Sequence, residues 1–466
     1  MNHRSIRGLL ALCLSTTLGG CYTADPQSDF DQAALLAQDR TGASVTLEEA
    51  WSTPVEEPSE AWDGTEPLGL ETAITVALTN DPELRRQLSM VARKRAELAQ
   101  ASLPPNPRVV FQFGAPLDGA GGSPGMVQLL QQLTWLWTMG DRIDRQDGRL
   151  QAMILEAART TVVRAAAVRE AYAEAAYDRD IIELRRAYVE TTGTTLELVT
   201  ALVQAGEVPK VNQERAAIDH HAAEAALANS IRQLREEQLQ LLRLMGWAGH
   251  GTGWDLASPL VQGPAEDMPD ESQIVRRALE VRLDVAAARQ LVQAAEAELR
   301  LAGFTRIPEV QYRISWNRNF GDRPGLFNGS SVSLPILDTG YAHIANALAQ
   351  LETANLDAAI LRQDVITEAR VALNTWYQAE EQLLLFDEVL VEESERVVKS
   401  SELEFKAGSV DSTELLLSQQ QMIRQQLEML AHKRQSTLAW IAVQTSVGGS
   451  FDIPLERPVV EVETHS

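Results

Sequence analysis

The chain has 466 residues, with 65 Asp or Glu against 41 Lys or Arg and a formal charge of −24. A chain this acidic lacks the basic surface that phosphate binding demands, which excludes nucleic acid as a partner. Its only cysteines, Cys13 and Cys21, both lie near the front, which excludes an internal disulfide framework and a cysteine-based metal site.

Residues 1–20 read as an export signal. His3, Arg4 and Arg7 make a positive start, Gly8 to Leu18 an apolar stretch, and Gly19-Gly20 supply small residues at a cleavage point. The stretch is shorter than the roughly 20 apolar residues needed to span a bilayer. Leu18-Gly19-Gly20-Cys21 resembles the bacterial lipobox, whose cysteine becomes the first mature residue and is diacylated on sulfur. By that resemblance Cys13 leaves with the leader and Cys21 is the lipidation site; the alternative is a plain signal peptide with an incidental cysteine. Tyr22 rather than Asp follows the cysteine, so the inner-membrane retention signal is missing and outer membrane anchoring is implied.

Residues 21–67 form an acidic, Pro-containing segment in which Arg40 is the only basic residue. It reads as an extended tether or as a layer wrapped on a surface. Thereafter the chain is written twice, as a first unit over 68–249 and a second over 270–449, with a tail over 450–466. Ala77 recurs as Ala278, Pro107 as Pro308, Gly140 as Gly340, Gly206 as Gly408 and Gly246 as Gly448, always 200 to 202 positions on. Solenoid repeats are about 20 to 50 residues long, so this is duplication of a much larger unit.

Each unit is expected to run helix, strand, loop, strand, very long helix, tight turn, helix. The strands fall in hairpins at 108–137 and 308–338. Val310, Tyr312, Ile314 and Trp316 alternate with Gln311, Arg313, Ser315 and Asn317, giving one apolar and one polar face. Val332, Leu334 and Ile336 continue the pattern, as do Val109, Phe111, Phe113, Leu129, Leu133, Trp135 and Trp137 in the first unit. The stretches 114–125 and 320–329, rich in Gly, Pro and Asp, are expected to be the hairpin loops. Four such strands cannot close a barrel, and open edges are not tolerated in lipid.

Asp141 to Ala205 contains no Pro, and Tyr341 to Ala407 contains neither Pro nor Gly. Each is expected to be one helix of about 100 Å, far beyond ordinary globular helices and closer to coiled coils. Heptad-like spacing at Tyr177, Ile181, Leu184 and Tyr188, and at Leu416, Ile423, Leu427 and Leu430, supports that reading.

The segments ALTNDPEL (77–84), SVSLPILDTG (331–340) and FKAGSVDSTELL (405–416), taken with the duplication, resemble those of TolC-type outer membrane efflux proteins, the exit ducts of tripartite efflux systems. The resemblance covers Leu68 to Gly449. It implies a mainly α fold with a membrane β-barrel: a homotrimer with a shared 12-stranded barrel above a long periplasmic α-helical barrel. It places Gly206 and Gly408 in the tip turns that meet a periplasmic adaptor protein, itself linked to an inner membrane pump. Asp411 and Glu414 fall where related ducts carry acidic residues at the periplasmic gate, and Asp411-Ser412-Thr413-Glu414 also reads as a capping box. The first unit departs from the pattern at Trp135 and Trp137, which replace a Pro and a small apolar residue.

The implied function is passive conduction of small molecules or metal cations from the periplasm to the outside. Type I protein secretion and a non-conducting envelope scaffold are the alternatives. No cofactor and no enzymatic activity are expected. Gly119 to Gly125 lacks the Lys-Ser/Thr of a phosphate loop, and Asp219-His220-His221 lies within a helical stretch where adjacent histidines point apart, so solvated helix residues are expected there rather than a metal site.

Overall fold

A computed structural model of the chain describes residues 24–43, 47, 51, 62, 64–115, 122–249, 251–257, 270–319, 321, 323–386 and 390–449. The leader with Cys21, much of the 114–125 loop and the 450–466 tail lie outside the described residues. Helix α1 (Gln27–Thr41) precedes the two repeats. The first repeat contains α2 (Leu70–Asn80), α3 (Pro82–Ser102), β1 (Arg108–Phe113), β2 (Gly125–Gln132), α4 (Trp135–Ala205) and α5 (Lys210–Leu244). The second contains α6 (Glu271–Val281), α7 (Leu283–Gly303), β3 (Glu309–Arg318), β4 (Pro324–Ser333), α8 (Tyr341–Leu385), α9 (Val391–Lys406) and α10 (Ser412–Ser446). The described chain divides into two compact units. One gathers the chain up to Phe30 with Gln87–Glu156 and Ala286–Ile360, and holds the sheet; the other gathers Asp31–Arg86, Ala157–Val285 and Leu361–Ser466, and is helical.

The helical unit shows how one plan is executed with two chemistries. Helix α2 ends at Asn80 because Asp81 precedes Pro82, and a residue before proline is driven out of the helical region; Asp81 is extended, with ψ 115°. Arg282 occupies the matching break in the second repeat, extended at ψ 130° with no proline to enforce it. Side-chain bonds hold it instead. Its guanidinium donates to Asp284 at 3.1 and 2.7 Å, to Glu368 of α8 at 2.8 Å and to the Ser446 carbonyl at 3.0 Å. In the first repeat the polarity is inverted, since Asp81 accepts from Arg164 of α4 at 2.6 and 3.2 Å.

Ile274, Val365, Leu373, Trp376, Val443 and Val447 form the core beside the Arg282 break, and Trp376 is fully buried. Each large side chain buried there contributes about 1.5–3 kcal/mol. Alanines supply much of the remaining contact: Ala157, Ala165, Ala173 and Ala176 of α4 are buried, as are Ala369, Ala379 and Ala439, and small residues let long helices approach closely. The polar cross-bonds give the register. Tyr177 meets Thr437 at 2.9 Å and Thr195 meets Gln419 at 3.3 Å, so α4 and α10 run antiparallel.

Several expectations need correction. Residues 27–41 are helix, not an extended tether: Phe30, Ala33 and Ala37 are buried and Arg95 grips Asp29 through both carboxylate oxygens. Farther along, Arg169 donates to the Thr41 carbonyl at 2.6 Å and Arg40 to that of Val281 at 3.1 Å, so the segment is a packed layer. Trp135 and Trp137 belong to α4, not to a strand. Helix α4 therefore already contains Gly140, whereas Gly340 stands just before α8 with φ 73°. Leu334 and Ile336 lie beyond β4, which instead begins at Pro324, inside the stretch expected to be loop. The long helix of the second repeat departs locally from the α-helical pattern: α8 ends at Leu385, Phe386 and Leu390 are π-helical, α9 starts at Val391, and 387–389 lie outside the described residues.

Candidate functional site

Two places carry function-bearing chemistry, the sheet and the helical turns. The four strands form one antiparallel sheet in the order β1-β2-β3-β4. Its registers place Phe111 opposite Val127, Val127 opposite Trp316, and Trp316 opposite Leu326. The same face carries Val109, Leu129, Ile314 and Val332, and period-2 alternation leaves mostly Gln, Ser, Asn and Arg on the other. The apolar face is open: Phe113 is 84% exposed, Leu326 75% and Phe111 61%, and the polar face is open as well at Gln112, Arg313 and Ser331. A soluble sheet covers its apolar face, and an apolar surface of this extent requires a nonaqueous neighbour. Strands β1 and β4 are the sheet's edges, each paired on one side only. The β3–β4 turn is tight, with the Asn319 side chain accepting from the Gly321 and Arg323 amides at 2.9 and 3.1 Å.

Both expected tip glycines lie in helix-ending turns of the same design. The Gly206 amide donates to the Val203 carbonyl at 3.1 Å and the Glu207 amide to that of Leu202 at 3.0 Å, with φ 77° at Gly206. The Gly408 amide donates to Phe405 at 3.0 Å and the Ser409 amide to Glu404 at 2.8 Å, with φ 73° at Gly408. This paired pattern terminates a helix through a left-handed residue, which glycine adopts without a Cβ penalty. Pro209 then opens α5 and Asp411 opens α10.

Asp411 is a true cap. Its side chain accepts from the Thr413 amide at 2.8 Å and the Glu414 amide at 3.1 Å, satisfying two of the first-turn donors. The reciprocal half of a capping box is not made: the Glu414 carboxylate has no hydrogen bond or ion pair among the described residues and is exposed. Its counterpart Asn212 in the first repeat is buried at 9%.

Links between the α4–α5 hairpin and α10 are not apparent from the sequence. Arg215 donates to Thr413 at 3.3 Å and Gln420 to Asp219 at 2.8 Å, above an apolar contact of Val199, Ala216 and Leu416. Burial raises the Asp219 carboxyl above its ordinary range, against the lowering effect of Gln420. The expectation of three solvated residues at 219–221 therefore holds for His221 alone. His220 faces α4, where its Nδ1 lies 3.2 Å from the Thr192 hydroxyl, and a Cβ on Gly193 would stand 3.4 Å from its ring. No grouping of three His, Cys, Asp or Glu suited to a metal ion occurs among the described residues.

Residues 274–449 match the family model described as outer membrane efflux protein. Protein CyaE of Bordetella pertussis is 28% identical to the chain over 345 residues, spanning 67% of this chain and 69% of its own length. Among solved structures, the outer membrane channel OprN superposes with a TM-score of 0.69 at 16% identity, covering 84% of this chain and 95% of that one. The outer membrane protein VceC of Vibrio cholerae gives 0.68 at 15% identity, covering 82% and 97%. The second repeat thus matches the outer membrane efflux protein model, and the chain has the fold of these outer membrane channels.

Proposed function

We propose that this chain, with the TolC-type fold and the efflux family domain, is an outer membrane exit duct that passively conducts small molecules or metal cations out of the periplasm. The observation that carries the reading is the sheet, with one exposed apolar face and two edges awaiting partners. An unpaired edge in lipid costs several kcal/mol per exposed backbone group. Three copies contributing four strands each close a 12-stranded barrel and remove every edge. Energy for export comes from a partner, an inner membrane pump coupled through a periplasmic adaptor that meets the turns at Gly206 and Gly408. Lipid on Cys21 anchors the chain to the same membrane.

At the turn of the second repeat, Asp411 is occupied with capping and Glu414 is not, which supports assigning the gate charge to Glu414. A trimer carries three such carboxylates, since the first repeat has Asn212 at that place. Purified protein in a planar bilayer should show discrete conductance steps, run as a trimer by light scattering, and carry palmitate label that Cys21→Ser removes. A stable monomer without conductance would overturn the duct, and label persisting in Cys21→Ser would overturn the anchor.

A further inference from the structure

Midway along the helical unit, well away from the tip turns, a carboxylate is buried where three helices meet. Asp178 of α4 is 3% exposed. Its Oδ1 accepts from the Gln233 amide of α5 at 3.3 Å, while Oδ2 is buried with no hydrogen-bond partner. One turn back on α4, Glu174 is paired with Arg434 of α10 at 2.5 Å. The charged groups acting on Asp178 are Glu174 on its own helix, Glu237 on α5 and Arg434 on α10. One guanidinium thus stands among three carboxyls, and Glu174 already holds it. Full ionisation leaves Asp178 desolvated beside two like charges, an arrangement that favours one proton among the three.

We propose that Asp178, with Glu174, Glu237 and Arg434 around it, is a proton-operated clamp that fastens α4 to α5 and α10 under mildly acidic conditions. The proton comes from solvent and resides on the orphaned Oδ2. Burial, reinforced by Glu237 and Glu174 against the opposing pull of Arg434, raises the Asp178 carboxyl to about 6. Burial and Glu174 raise Glu237 as well, so the groups titrate as a set. The sign follows from the unfolded or opened chain, where the carboxyl regains its ordinary low value. The closed packing is fully favoured below that ordinary value, and the advantage is lost as pH rises through about 6. Neutral conditions therefore loosen the helices here and acid tightens them. The clamp is a property of the helical unit and stands whether or not the chain conducts.

The test is hydrogen–deuterium exchange of the full-length protein at about pH 7.5 and about pH 5, with rates normalised for intrinsic exchange. With the carboxyl at about 6, pH 5 lies one unit below it, which sets the expected change in protection between the two conditions at about tenfold. Peptides covering 174–182 and 229–238 should be the more protected at the lower pH. Asp178→Asn should show high protection at both. If that variant does not fold, Glu237→Gln provides the second arm, because removing its charge lowers the Asp178 carboxyl and moves the transition to lower pH. Equal protection of the wild type at both pH values would overturn the clamp. So would an unchanged pH response in Asp178→Asn, or an unmoved transition in Glu237→Gln.

Discussion

The two repeats share an order of elements but differ in how firmly each is fixed. The first sends one α-helix of 71 residues from Trp135 to Ala205, while its counterpart in the second turns π-helical at Phe386 and Leu390, between α8 and α9. Phe386 there stacks on His432 of α10 at 4.3 Å between ring centroids. At the break between the short helices the contrast is reversed. Proline and one ion pair suffice in the first repeat, whereas the second needs a guanidinium bonded to three partners. Duplication preserved the places where the chain must turn and left the means of turning free. Turns that a left-handed glycine or a pre-proline residue enforces are local, but turns that Arg282 enforces depend on α8 and α10 being in place.

The largest effect is expected of Arg282→Ala. It leaves Asp284 buried without its guanidinium, and removing one partner of a buried ion pair costs about 3–5 kcal/mol. Thermal unfolding should show a loss well above that of Asp81→Ala, whose abandoned partner Arg164 is 26% exposed. The acid limb should differ too. Burial opposes the charge of Asp284, but Arg282 and Arg159 outweigh it and hold the carboxyl below its ordinary range. Its stabilising contribution is therefore present at neutral pH and lost only as pH falls below that range. In Arg282→Ala the same carboxyl keeps only Arg159, at 3.3 Å, and rises, so the variant should lose less stability than the wild type as pH falls. Parallel acid denaturation curves for the two proteins would refute this account.

Intermediate effects separate glycines of one backbone conformation. Gly246 and Gly408 both have φ 73°, but a Cβ at Gly246 would come within 2.8 Å of the Asn80 Cβ and 3.2 Å of its carbonyl, while nothing lies within 4 Å of one at Gly408. Gly408→Ala should cost about 1–2 kcal/mol for the left-handed backbone alone. Gly246→Ala should add about 1–3 kcal/mol of overpacking. Equal melting temperatures for the two variants would show that Asn80 moves aside freely.

The smallest stability effect and the sharpest functional one belong to Glu414→Gln. The cap is made by Asp411, so melting should be unchanged within about 0.5 kcal/mol, the usual range for surface substitutions. Reversal potentials in asymmetric salt should lose cation preference. Identical potentials for the two proteins would remove Glu414 from the gate.

Much of this was legible in the sequence. The alternation from Val310 to Trp316 marks β3 because period 2 has no competing explanation there. The same alternation misleads at Leu133, Trp135 and Trp137, since three residues spaced by two fit a strand or the start of a helix until tertiary packing decides. It misleads again at Leu334 and Ile336, where the apolar side chains continue past the last ladder bond of β4. The fully buried apolar residues of α1 are Phe30, Ala33 and Ala37, too few to stand out against an acidic background. The π-helical residues Phe386 and Leu390 have no Gly or Pro beside them to announce the change. The three-helix convergence at Asp178 could not be read at all, because its partners come from positions more than 50 and 250 residues away.

The inverted polarity of the two anchors also bears on how a duplicated chain avoids confusing its halves while folding. Paired correctly, Asp81 meets Arg164 and Arg282 meets Glu368. If a short helix docked on the long helix of the other repeat, Asp81 would face Glu368 and Arg282 would face Arg164. Both errors place a like charge beside a buried one, since Asp81 and Arg282 are 5% and 8% exposed, where such contacts cost more than in open water. The apolar surfaces of the two repeats, built from similar alanines and leucines, discriminate poorly. The charge inversion labels each half as its own, and a chain with matched polarity would be open to misassembly between its repeats.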